Sequence, residues 1–141
     1  MIRKNIKKIL VPMDGSKNSM RGLDEAIYLA RQCHATITGL YVIPIYPRSF
    51  TDSIIPYQMY LTKSAKKFME SAKTTCAQKG ILFKSKIVFG SPTIEIDEMS
   101  KKGFDIVVVG SRGQSGLKEV FLGSVAKAIV HKSKIPVLVI K

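Results

Sequence analysis

Tryptophan is absent from this sequence, cysteine and histidine occur twice each, and 10 acidic residues face 23 lysines and arginines. Cys33 and Cys76 are far apart and form no CxxC pair. That excludes a disulfide framework and a structural zinc site, and both cysteines are expected to pack as small buried hydrophobes on helices. No run of Ile, Leu and Val exceeds the four residues of Ile106 to Val109 or Val137 to Ile140, whereas a membrane-spanning helix needs about 18 apolar residues. A transmembrane protein is therefore not expected. Met1 to Lys8 is basic like the start of a secretory signal, but only Ile9 to Met13 follow before Asp14. This is too short for the apolar core of such a signal, so a cytoplasmic protein is expected.

What is present suits a folded chain. The 141 residues fit one domain, 1–141, with a single core. Apolar residues make up 45% and charged residues 23%, close to ordinary globular composition. The net charge of +13 raises the question of a polyanionic partner. Its lysines and arginines cluster at Arg3, Lys4, Lys7 and Lys8, and again between Lys63 and Lys86. Neither cluster matches a recognisable nucleic-acid-binding module, so a solvated basic surface is expected and nucleic acid is not.

Alternating elements can be read along the chain. Lys8 to Met13 is a short apolar strand that ends at Asp14-Gly15-Ser16, a turn and helix start. Leu23, Ile27 and Ala30 recur at helical spacing and predict a helix over 17–33, slightly weakened by Gly22. Thr36 to Ile43 is β-branched and apolar, a second strand. Pro44, Pro47 and Pro56 predict irregular structure from Pro44 to Tyr57. A helix then carries Leu61, Ala65, Phe68, Met69, Ala72 and Cys76 on its core face and ends at Gly80. A third strand is expected from Ile81 to Phe89, then a helix N-capped by Ser91 with Pro92 first and stopping at Gly103. Asp105 to Val109 reads as a strand buried on both faces. The glycine-rich Gly110 to Gly123, a helix from Ser124 to about His131 and a strand from Ile135 to Ile140 complete the chain. Right-handed crossovers fold this order into a parallel sheet with helices on both faces. Ligands of such sheets bind at the carboxyl ends of the strands, near the switch in strand order.

Gly110, Gly113 and Gly116 follow a buried strand and permit positive φ and close backbone approach, so that several N–H groups can meet one anion. Gly123-Ser124 opens a helix whose free amides form a second anion site. Together they suit a polyphosphate. The segment is neither a GxxxxGK[ST] loop nor a GxGxxG dinucleotide fingerprint. Asp14 is the nearby carboxylate. It could face the ligand and help a Mg²⁺, or simply complement the dipole at the start of the first helix. His34 and His131 are expected at helix ends, and Ser124 as a phosphate ligand rather than a nucleophile. Binding with at most slow hydrolysis is the expectation.

These residues resemble the universal stress proteins, specifically their ATP-binding subgroup. The signature G-x2-G-x9-G-[ST] is matched by Gly110, Gly113, Gly123 and Ser124. Ile9 to Ser16 is similar to the family's first strand and turn, and Ile135 to Val139 to its last strand. Departures are Gly22, where the family usually has a better helix former, and the segment from Pro44 to Tyr57. The resemblance implies a Rossmann-like fold of the adenine-nucleotide alpha-hydrolase kind, with an open parallel five-stranded sheet of order 3-2-1-4-5. It implies ATP across the carboxyl ends of strands one and four: Asp14 at the ribose, the Val42 backbone at the adenine edge, and Pro12 in the wall. Gly110, Arg112 and Gly113, with Gly116 beyond them, would lie along the ribose and inner phosphates. Gly123, Ser124 and the Val125 amide would hold the terminal ones. A nucleotide-responsive stress protein is the function implied, with a slow ATPase or an AMP or cyclic-AMP sensor as alternatives. As the fifth strand of that order, the apolar Pro136 to Ile140 lies at a sheet edge, which predicts a homodimer through this strand.

Overall fold

The computed structural model describes residues 5–45, 51–112 and 122–141, with residues 51–55 as backbone. The elements alternate as expected: β1 (Lys8–Met13), α1 (Lys17–Cys33), β2 (Thr36–Ile43), α2 (Thr51–Gln78), β3 (Phe83–Phe89), α3 (Pro92–Ser100), β4 (Ile106–Gly110), α4 (Ser124–Lys132) and β5 (Val137–Ile140). The strands form one sheet of order β3-β2-β1-β4-β5, parallel throughout. Right-handed crossovers explain the layering. The chain moves outward from β1 to β3, placing α1 and α2 on one face, then reverses past β1 to β4, placing α3 and α4 on the other.

The period of two along each strand divides the core accordingly. Ile9, Val11, Ile37, Ile43 and Val108 pack with Leu23, Ala26, Met69 and Cys76 beneath α1 and α2. Leu10, Leu40, Val42, Val107 and Val109 pack with Ile96, Ala126 and Ile129 beneath α3 and α4.

Between β1 and β4 the sheet opens. β1 pairs with β2 along its whole length but with β4 only at Ile9↔Ile106 and Leu10↔Val107. The Thr36 N–H donates to Lys7 O. Odd-numbered residues of β1 therefore turn their peptide groups to β2, and even-numbered ones, Pro12 among them, toward β4. Pro12 has no N–H to give, so the β1–β4 ladder stops short of it. The carboxyl ends of the two strands part there, at the reversal of strand order.

Several boundaries differ from the sequence expectation, each for a local reason. α2 begins at Thr51 and contains Pro56, where irregular structure was expected as far as Tyr57. The proline removes one i→i−4 bond, but the core face that runs on through Ala65, Met69, Ala72 and Cys76 holds the helix by packing. β3 starts at Phe83, not Ile81, because the Ile81 N–H is bound back to Cys76 O at the end of α2. β5 starts at Val137, because the Ile135 N–H is taken by Ser133 Oγ at 3.2 Å. α3 ends at Ser100 rather than Gly103, and β4 runs one residue further, to Gly110. Cys76 is buried as expected, whereas Cys33 is only half-buried, and both are free thiols.

Gly22 is a packing residue. A Cβ there would lie 3.3 Å from the Gly110 backbone nitrogen, so its small size lets α1 sit close on β4. No described helix is long and apolar enough to cross a membrane.

Candidate functional site

Where β1 and β4 part, a cleft of about 350 Å³ opens between the carboxyl ends of β1, β2 and β4. Tyr57 and Leu61 of α2 and the first turns of α3 and α4 also border it. Of the residues nominated from sequence, Pro12, Asp14, Val42, Gly110, Arg112, Gly123, Ser124 and Val125 all line it. Gly113 and Gly116 lie outside the described residues.

Asp14 stands at the turn after β1, where its Oδ1 accepts the Ser16 N–H at 2.9 Å. Ser16 Oγ in turn accepts the Ser19 N–H at 3.0 Å and caps α1. Asp14 thus stands at the start of α1 and among the residues that line the cleft. Its backbone carbonyl accepts the Tyr41 hydroxyl at 3.1 Å. Tyr41 reads from sequence as one more apolar strand position. Its hydroxyl instead ties β2 to the turn after β1, and burial, then Asp14, then Tyr57 push its pKa upward.

Val42 lies one residue beyond the last β1–β2 pair, Met13↔Tyr41. Ile37 donates to Leu82 O and Gly90 to Ile43 O, so odd-numbered residues of β2 face β3. The Val42 peptide groups therefore face the end of β1, at the floor of the cleft. Leu40, Ile43, Ile96 and Val109 make much of the lining apolar.

The chain leaving β4 is held at three points. Ser111 donates its N–H to Ile140 O on β5 at 2.7 Å and accepts the Gly123 N–H at 2.6 Å. The Arg112 N–H is bound by Asn18 Oδ1 of α1 at 2.6 Å. Ser111 and Asn18 carried no motif signal, and only the fold shows their part.

Gly110 is buried in ordinary extended backbone, and the positive φ that its type allows is not used there. What excludes a side chain is proximity, since a Cβ would lie 2.5 Å from Asn18 Oδ1 and 2.8 Å from Asn18 O.

α4 starts as expected, with Gly123 as N-cap, no side-chain cap bond and no acid in the first turn. Its leading amides have no acceptor within the helix and carry the positive end of its dipole. The neighbouring α3 differs, since Glu95 occupies its first turn. Among helix starts bordering the cleft, α4 is thus a donor cluster with no acid in its own first turn, and Arg112 also lies in the lining. His34 forms the C-cap of α1 in left-handed conformation and His131 lies in the last turn of α4. Both are exposed and stand apart from the cleft.

The model of the Universal stress protein family matches residues 5–141. The chain belongs to this family. It is 36% identical over 148 aligned residues to universal stress protein YxiE of Bacillus subtilis, covering 95% of this chain and 98% of that protein. Among solved structures, universal stress protein UspA from Lactobacillus plantarum superposes with a TM-score of 0.90 at 24% identity, over 99% of this chain and 100% of that one. An Arabidopsis thaliana protein of the family, solved with AMP bound, has a TM-score of 0.71 at 21% identity over 96% and 91% of the two chains. At such identities the likeness shows the universal stress protein fold, which is Rossmann-like.

Proposed function

We propose that this universal stress protein binds ATP in the cleft and acts as a nucleotide-responsive stress protein of the cytoplasm. The observation that carries this reading is the convergence of the Ser111–Gly123 junction, the open start of α4 and the Asp14 carboxylate on one largely apolar cleft. An adenine nucleoside with a phosphate chain needs these three surfaces: an apolar floor, an acceptor for ribose hydroxyls, and convergent donors for anionic oxygens. AMP in the Arabidopsis relative supports the choice of base.

Asp14 receives the ribose, the Val42 backbone meets the adenine edge, and Pro12 forms the wall. Gly110, Arg112, Gly113 and Gly116 follow the ribose and inner phosphates, while Gly123, Ser124 and Val125 take the terminal ones. Asp14 would help to hold a Mg²⁺ that offsets the phosphate charge. Occupancy changes the surface offered to partners, with hydrolysis slow at most.

The chain also forms a homodimer through β5. Among the described residues no further strand pairs with either sheet edge, but β3 presents the exposed Lys84 and Lys86, which oppose pairing. β5 offers four apolar residues with Leu138 exposed.

Calorimetry with ATP, AMP, cyclic AMP and adenosine tests the nucleotide site. ATP binding at millimolar or lower Kd is expected, weakened in Ser124→Ala by about 1 kcal/mol and less so for AMP. A Gly113→Val variant should lose ATP while keeping its thermal midpoint. No heat with any of the four ligands would sink the reading. Preference for cyclic AMP would replace ATP as the ligand, and multiple turnovers of ATP that Asp14→Ala abolishes would make the protein an ATPase.

A further inference from the structure

We infer that Asn18 is a positioning residue that fixes the Arg112 backbone at the cleft for anion binding without itself touching the ligand, an inference that rests on the nucleotide reading above. Asn18 is the second residue of α1 and is 8% exposed, and its Oδ1 accepts the Arg112 N–H at 2.6 Å. Because an amide nitrogen can only be met by an acceptor, this bond fixes which end of the side chain carries oxygen. The Nδ2 group then points elsewhere, buried and with no hydrogen-bond partner among the described residues.

A buried donor left unpaired destabilises a fold. The Oδ1 bond to Arg112 is the side-chain hydrogen bond that Asn18 makes against that cost. That contact comes where the chain has just left β4 and enters the segment whose amides are to face phosphate. The Asn18 carbonyl and side chain also occupy the space a Cβ at Gly110 would need. Gly110 and Arg112, on either side of Ser111, are thus both set by one asparagine of another element, while Ser111 is held from β5 and α4. Asn18 is not among the cleft-lining residues, so its effect on a ligand passes through the Arg112 backbone.

The test uses the full chain as wild type, Asn18→Ala and Asn18→Asp, with ATP and adenosine titrated by calorimetry and Arg112 amide exchange followed by NMR. Loss of the acceptor in Asn18→Ala should weaken ATP about tenfold, leave adenosine within about twofold, and speed Arg112 exchange. Asn18→Asp keeps an acceptor and adds a charge favourable near a helix start, so it should fold and keep Arg112 protected as in wild type. Its extra negative charge should weaken ATP but not adenosine. Equal losses for ATP and adenosine in Asn18→Ala, or no loss of either, would overturn the positioning role while leaving the site intact. Should Asn18→Ala fail to fold, faster Arg112 exchange in Asn18→Asp than in wild type would overturn it instead. A wild type that binds neither ligand removes the nucleotide reading and this role with it.

Discussion

Gly123 donates its N–H to the carbonyl of Ser111 at 2.6 Å, closing the neck of the glycine segment where it leaves β4 and enters α4. Both groups lie on residues that line the cleft, so this one bond sets the distance between the strand end and the helix start. Gly123 has φ −61°, close to the value proline imposes. Gly123→Pro should therefore be tolerated by the backbone while removing only the donor. ATP affinity measured by calorimetry is expected to fall by about 1 kcal/mol, with Gly123→Ala near wild type. Full affinity in the proline variant would show that the neck is held by other contacts.

The contact between α1 and β4 yields a stability prediction. At Gly110 a Cβ would lie 2.5 Å from Asn18 Oδ1 and 2.8 Å from its backbone oxygen. The backbone oxygen belongs to a helix and cannot swing away. Gly110→Ala should cost about 1–3 kcal/mol of stability through overpacking, read as a lowered urea midpoint. An unchanged midpoint would mean that α1 can shift on the sheet.

Alkaline pH should destabilise the fold, because groups that the native state keeps protonated ionise first in the unfolded chain. Burial, with Asp24 as a second cause, pushes the Cys76 thiol up to about 11, and Tyr41 is shifted in the same direction. Between the ordinary thiol pKa of about 8.5 and the folded value, the native state keeps a proton that the unfolded state has released. Stability is then full below the unfolded value and falls as pH rises through this window. Urea midpoints taken from about pH 8 to 10.5 should decline, and Cys76→Ala should flatten the slope from a lower baseline. A slope identical in the variant would assign the decline to other groups.

The dimer proposal places its interface on an edge. β5 joins the sheet through Val107↔Val137, Val108↔Leu138, Val109↔Val139 and Gly110↔Ile140, leaving its far side open to a second copy. Sedimentation should find a dimer at tens of micromolar, and Val139→Lys should give a monomer by placing charge on a strand whose apolar residues seek cover. A wild-type monomer, or a dimer indifferent to the substitution, would remove β5 as the interface.

Much of the fold was legible because its signals are local. The bounds of β1, α1 and β2 follow from apolar period and from the turn at Asp14-Gly15-Ser16. The order of elements with right-handed crossovers leads to one sheet, and Gly123-Ser124 marks the start of α4 by composition alone. Glycines and the carboxylate at strand ends identified the positions that the cleft gathers.

Tertiary structure decided the rest, because the partners involved are remote in sequence. Pro56 enters α2 since packing against β2 and β3 outweighs one lost backbone bond. Gly22, an indifferent helix residue by propensity, is explained by Gly110 of β4. Tyr41 is aimed by the Asp14 carbonyl, and Arg112 is held by Asn18 from the other end of the chain. A strand's alternation or a helix's cap is fixed by neighbours a few residues away, and so can be read in order. A hydrogen bond that positions a loop depends on which side chains the completed sheet brings together, and no periodicity encodes that.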